Sequence, residues 1–121
     1  INCMKISQIK ELLDAKVICG EDKLDREVNS AFGSDMMSDV LAYVKDQAIL
    51  LTGLVNSQVI RTAEMMDMHC VVFVRSKMPT AEMIELARES GIVLLATNKR
   101  LYEACGILYS NGLVGNRAKN V

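Results

Sequence analysis

The chain contains no tryptophan, and with two phenylalanines and three tyrosines its aromatic share is 4%. That scarcity removes the stacking platforms on which single-stranded nucleic acids are held. An excess of positive charge is missing as well, since 14 Lys and Arg stand against 15 Asp and Glu, for a net charge of −1. Binding by phosphate neutralisation needs the opposite sign, so no nucleic-acid partner is expected. No apolar run approaches the ~20 residues that a membrane span requires, so no membrane partner is expected. The first residues lack the basic-then-apolar layout of a signal peptide. A soluble cytoplasmic protein is expected, with residues 1–3 read as a cloning remnant ahead of a natural start at Met4.

Zinc chemistry is also unsupported. Cys3, Cys19, Cys70 and Cys105 form no CxxC pair, and His69 is the only histidine. The spacing offers no set of metal ligands, and buried reduced thiols acting as small hydrophobes explain Cys70 and Cys105. One histidine cannot supply a Ser–His–Asp or Cys–His arrangement, so His69 is expected to be a strand-end residue. Neither GxxxxGK[ST] nor GxGxxG occurs, and phosphoryl transfer by the usual parts is not expected. No cofactor and no metal are implied.

What the chain does have is a hydrophobic content of 50%, enough for a core without staples in 121 residues. The segment "KISQIKELLD" puts Ile6, Ile9, Leu12 and Leu13 on one helical face, with Ser7 as a candidate cap. "AKVICG" reads as a short strand and "EDKLDREV" as a polar connector. Strand and helix then alternate. "VNSAFG" leads to a helix over 35–45 with Met37, Val40, Leu41 and Val44 in its stripe. "AILLTG" precedes a helix from Asn56 with Val59, Ala63 and Met66 inward, and "HCVVFVRS" precedes the helix "PTAEMIELARESG". "IVLLATN" precedes "KRLYEACGILY".

Four strand–helix units recur at roughly the twenty-residue spacing of a compact βα unit. Their strands are apolar at consecutive positions rather than alternating, the mark of strands buried on both faces. The expected fold is a three-layer α/β sandwich with a mostly parallel, doubly wound sheet built from successive βα units. One domain is expected over residues 4–110, with a flexible tail over 111–121.

Ligands of such sheets bind beyond the carboxyl ends of the strands. Those ends carry Gly33, Ser34 and Asp35; Thr52 and Gly53; Arg75, Ser76 and Lys77; and Thr97 and Asn98. These residues, Lys77 aside, are the candidate ligand site, each next to a helix start where free N–H groups favour anions, and a phosphorylated small ligand fits them. Capping is the competing account for Asp35, Asn56, Thr80 and Thr97. Asp35 and Asp39, four apart, read as a helix start rather than a magnesium pair, with Ser34 or Asp35 as the cap. Met65 and Met68 fall off the stripe of their helix, and exposed methionines there suggest a homodimer face.

The order "MKISQIKELL–AKVICG–GSDMMSDVLAY–ILLTGLVNSQVIRTAEMMDMHCVVFV–KMPTAEMIELARESGIVLLATN" resembles the DRTGG domain family over about residues 5–110. The literal pentapeptide is absent; "TGLVNSQ" follows the central strand. The family occurs beside CBS domains in regulated pyrophosphatases, within some phosphotransacetylases, and as short stand-alone bacterial versions. It is related to the N-terminal domain of HPr kinase/phosphorylase. The resemblance implies a non-catalytic regulatory domain that dimerises and senses a small ligand such as an adenine nucleotide, acting on a partner enzyme encoded nearby. Two alternatives stay open: a ligand-free partner of a larger metabolic or redox complex, and a small phosphoryl- or acyl-transfer enzyme using Asp35, Thr52 and Arg75.

Overall fold

The computed structural model describes residues 3–43 and 48–114. The elements in chain order are β1 (Met4–Lys5), α1 (Ile6–Leu13), β2 (Lys16–Cys19), a 3-10 turn at Glu21–Lys23, β3 (Glu27–Val28), β4 (Ser30–Gly33), α2 (Met37–Tyr43) and β5 (Ala48–Thr52). They continue with α3 (Ser57–Met65), β6 (Cys70–Phe73), α4 (Ala81–Ser90), β7 (Val93–Ala96) and α5 (Leu101–Ser110). The main sheet has five strands in the order β2-β7-β6-β5-β4. Strands β4 to β7 are parallel, and β2 joins β7 antiparallel with a bulge between Val17 and Cys19. β1 and β3 form a separate two-stranded ribbon.

Every residue of β5, β6 and β7 is buried. Successive side chains point to opposite faces, so each strand feeds two cores. Leu50, Val71, Phe73 and Leu94 pack with Met37 and Val40 of α2, Val59, Ile60 and Ala63 of α3, and Met83 and Ala87 of α4. Ile49, Leu51, Cys70, Val72, Val93 and Leu95 pack with Ile6, Ile9 and Leu13 of α1 and Ala104 and Leu108 of α5. The result is the expected three-layer α/β sandwich with helices on both faces. Its second face is covered by α1 and α5, while the parallel strands advance in one direction from β4 to β7. The chain therefore changes face once in the parallel part, after β7, and the loops following β6 and β7 depart to opposite sides of the sheet.

Local chemistry differs from the expected pattern at several points. Ser7 does not cap α1. Its N–H donates to the Leu24 carbonyl and that of Ile6 to the Arg26 carbonyl, both at 2.9 Å, while Gln8 Oε1 accepts from the Lys5 N–H. The connector thus supplies the acceptors that a capping side chain would have given. Helix α2 starts at Met37, and Leu41, expected inward, is 43% exposed; Val44 lies outside the described residues. Asn56 and Thr80 do cap α3 and α4, and Gly91 at φ 71° closes α4 in the left-handed region. Leu113 is buried and the Val114 carbonyl accepts from the Ala31 N–H, so packed chain continues past Ser110. The rest of the expected tail lies outside the described residues.

Met68 is a correction. It is 3% exposed and belongs to the core with Val59 and Ala63, because the chain leaves α3 after Met65 and turns at Asp67 (φ 56°), so helical phase no longer applies to it. Met65, at 72% exposure, faces outward as expected. Met68→Ala is expected to cost about 2–5 kcal/mol in urea denaturation, and Met65→Ala to stay within about 0.5 kcal/mol. Equal losses from both would contradict this packing.

Candidate functional site

The carboxyl ends of β4, β5 and β6 lie side by side, and the polar residues that leave them engage one another. Asp35 Oδ1 accepts from the Gly53 N–H at 2.7 Å and from the Thr52 hydroxyl at 3.1 Å. Asp35 Oδ2 stands 3.7 Å from Arg75 Nη2. The Arg75 guanidinium lies across Gly53 so closely that a Cβ there would overlap Nη2 and come within 2.9 Å of Nε. The absence of a side chain at Gly53 lets the guanidinium lie there; a larger residue would push the Arg75 side chain aside. Asp35 is a latch between three strand ends rather than a helix cap, which corrects the capping account. Ser34 bends the chain instead, its hydroxyl oxygen accepting from the Met36 N–H at 2.9 Å. Gly33 belongs to a different contact, since a Cβ on it would meet Cys105 Sγ at 2.7 Å.

The loop after β6 holds two consecutive non-glycine residues in the left-handed region, Arg75 (φ 58°) and Ser76 (φ 59°). Such backbone persists only where its surroundings over-determine it. Here the Arg75 N–H donates to the Lys99 carbonyl at 2.8 Å, the Ser76 N–H to the Thr97 carbonyl at 3.0 Å, and the Lys77 N–H to the Val74 carbonyl at 3.1 Å. All three amides are consumed within the protein, so an anion at this loop must be met by side chains. Thr97, expected as a cap or ligand group, is 3% exposed; its hydroxyl donates to the Leu13 carbonyl at 2.7 Å and accepts from the Lys99 N–H at 3.3 Å. It satisfies a carbonyl left open at the end of α1. Thr97 is therefore a partner of α1, not of Asp35.

Beside this loop lies a cavity of about 320 Å³ lined by Asp14, Lys16, Ser76, Met78, Ala96, Thr97 and Asn98. It sits where the loops after β6 and β7 part to opposite faces, the position at which open parallel sheets hold ligands. The expected site residues thus fall into two groups: Asp35, Thr52, Gly53 and Arg75 form the latch, while Ser76, Thr97 and Asn98 line the cavity. Sequence reasoning missed Asp14, Lys16 and Met78. The pairing of β2 with β7 brings the first two there, and that pairing carries no local signal. Asp14 ends α1 at φ 50° in a position usually taken by glycine or asparagine, which was a legible hint.

The DRTGG-domain family model matches residues 8–110. The chain belongs to the DRTGG domain family. This DRTGG domain is also similar in structure to the CBS and DRTGG domains of the regulatory region of Clostridium perfringens pyrophosphatase, solved with its activator diadenosine tetraphosphate. The likeness has a TM-score of 0.70 at 14% identity over 97% of this chain. It covers 52% of that chain, so the domain spans about half the length of that structure. No curated protein matches the sequence.

Among the described residues of this DRTGG domain, no three His, Cys, Asp or Glu side chains gather to hold a metal, and no helix is long and apolar enough to cross a membrane. Asp39 sits in the first turn of α2, where it complements the helix dipole. Burial pushes the thiols of Cys19, Cys70 and Cys105 up, the opposite of what activates a nucleophile. The latch yields a quantitative expectation. Asp35→Ala leaves the buried Gly53 N–H without its acceptor and should cost about 1–3 kcal/mol. Arg75→Ala removes only a half-exposed ion pair, for about 1 kcal/mol or less. Chemical denaturation distinguishes them; an Asp35→Ala loss no larger than that of Arg75→Ala would show that the pair, not the amide bond, is the latch.

Proposed function

We propose that this DRTGG domain is a non-catalytic regulatory module that senses a phosphorylated small ligand of the adenine-nucleotide class and transmits its occupancy to a partner enzyme. The observation that carries this reading is the cavity at the carboxyl edge, about 320 Å³ and open where the chain changes face, at the lower end of the range of small-molecule sites. Family membership supports the regulatory role, and the nucleotide activator of the pyrophosphatase regulatory region supports the ligand class. The polar groups of Ser76 and Asn98 would contact the ligand. Asp35, Thr52, Gly53 and Arg75 hold the β6 loop in the shape that forms the cavity wall, with Gly33 and Ser34 fixing where the chain turns toward Asp35. Helix α5, which starts beside the cavity at Arg100 with no side-chain cap, adds the positive end of its dipole.

Ligand binding raises stability by RT ln(1 + [L]/Kd), about 2.7 kcal/mol at a hundredfold excess over Kd. In a domain of this size that is on the order of 10 °C in Tm. A thermal-shift panel of AMP, ATP, diadenosine tetraphosphate and inorganic phosphate is expected to give such a rise with at least one nucleotide. A flat response to all four removes the sensor reading.

Met65 supports a homodimeric form of the module, with the end of α3 as the contact, since it exposes a large flexible apolar group. Met65→Glu is then expected to shift the protein from dimer to monomer in analytical ultracentrifugation. A wild-type protein that sediments as a monomer, or a dimer unaffected by the substitution, removes this face.

A further inference from the structure

The two charged residues on the cavity wall have opposite signs and sit one residue apart. Asp14 is the left-handed C-cap of α1, and Lys16 opens β2, so their Cα atoms are separated by no more than about 7 Å of chain. Both are exposed, and neither side chain makes a hydrogen bond or ion pair among the described residues. Backbone holds them in place. The Asp14 N–H donates to the Glu11 carbonyl, the Ala15 N–H to the Lys10 carbonyl, and Lys16 pairs with Ala96 across the sheet. The third wall is Met78, 52% exposed in the loop after β6 and directly ahead of the buried Pro79. An acceptor, a cation and an apolar polarisable surface thus converge on one cavity.

We infer that Asp14, Lys16 and Met78 are the specificity elements of the ligand site and that together they select a ribonucleoside 5′-phosphate. Asp14 accepts hydrogen bonds from the vicinal hydroxyls of the ribose, an arrangement a carboxylate meets with its two oxygens. Lys16 faces the 5′-phosphate at the other end of the sugar as a compact point charge. Met78 lies against the base, where a thioether makes favourable contact with an aromatic ring. The amides of Arg75, Ser76 and Lys77 are spent within the protein, and Lys16 is the one cationic side chain among the residues that line the cavity. The inference rests on the sensor reading above and adds the residues that recognise each part of the ligand.

Isothermal titration of the full chain with AMP, adenosine and 2′,3′-dideoxy-AMP tests each contact separately. Asp14→Asn keeps a residue that tolerates the left-handed backbone; it is expected to weaken AMP about tenfold and leave dideoxy-AMP unchanged. Lys16→Gln is expected to weaken AMP by a similar factor and leave adenosine unchanged. Met78→Ala should weaken all three. If AMP binds the wild type and these variants equally, the assignment is overturned while the sensor reading stands. If no nucleotide binds the wild type, both fall. A free amino acid binding in place of every nucleotide would mean that Asp14 and Lys16 grip a zwitterion, and would overturn the nucleotide assignment.

Discussion

Burial of β5, β6 and β7 on both faces is the constraint on which the remaining architecture depends. A strand with apolar side chains on both sides must be covered twice, and the three crossover helices α2, α3 and α4 all fall on one side because the strands advance in one direction. The second side would be left to water if the chain ended at β7. Helix α5 and, from the other end of the chain, α1 close it. The need to cover Ile49, Leu51, Val72 and Leu95 thus determines that the chain changes face after β7, and that change opens the gap between the loops following β6 and β7.

Much of this was legible because burial on both faces leaves a sequence signature. "AILLT", "CVVF" and "VLLA" are continuously apolar, the helices between them carry clear stripes, and both mark a parallel sheet between helices. The strand-end residues were legible for the same reason. What each one does was not. Asp35 has the composition of a helix cap, yet its acceptors and donors are decided by which strand ends are neighbours, and only strand order supplies Gly53 and Arg75. Thr97 likewise looks like a cap and instead reaches Leu13, 84 residues away. Met68 was misplaced because a helical period was extended past Met65, where the chain had already left the helix.

The two groups at the carboxyl edge differ in kind. The latch is turned inward, with the Asp35 carboxylate, the Thr52 hydroxyl and the amides of Arg75, Ser76 and Lys77 each directed at another part of the protein. The cavity wall is the reverse: charged side chains held on rigid backbone and directed at open space. A regulatory module needs both, since a site that moves with its surroundings cannot discriminate, and a site with no unmet groups has nothing to recognise.

Antiparallel attachment of β2 to β7 has a further consequence, in the order of assembly. Asp14 and Lys16 reach the cavity only when a segment near the start of the chain pairs with one more than 75 residues later, Lys16 opposite Ala96. Closing so long a loop carries an entropic cost that local βα pairing does not, and non-local pairings form late. The four βα units can therefore collapse on their own neighbours before the cavity wall is complete. The shape of the cavity thus becomes a property of the finished domain, set by a strand pairing between its two ends rather than by any one βα unit.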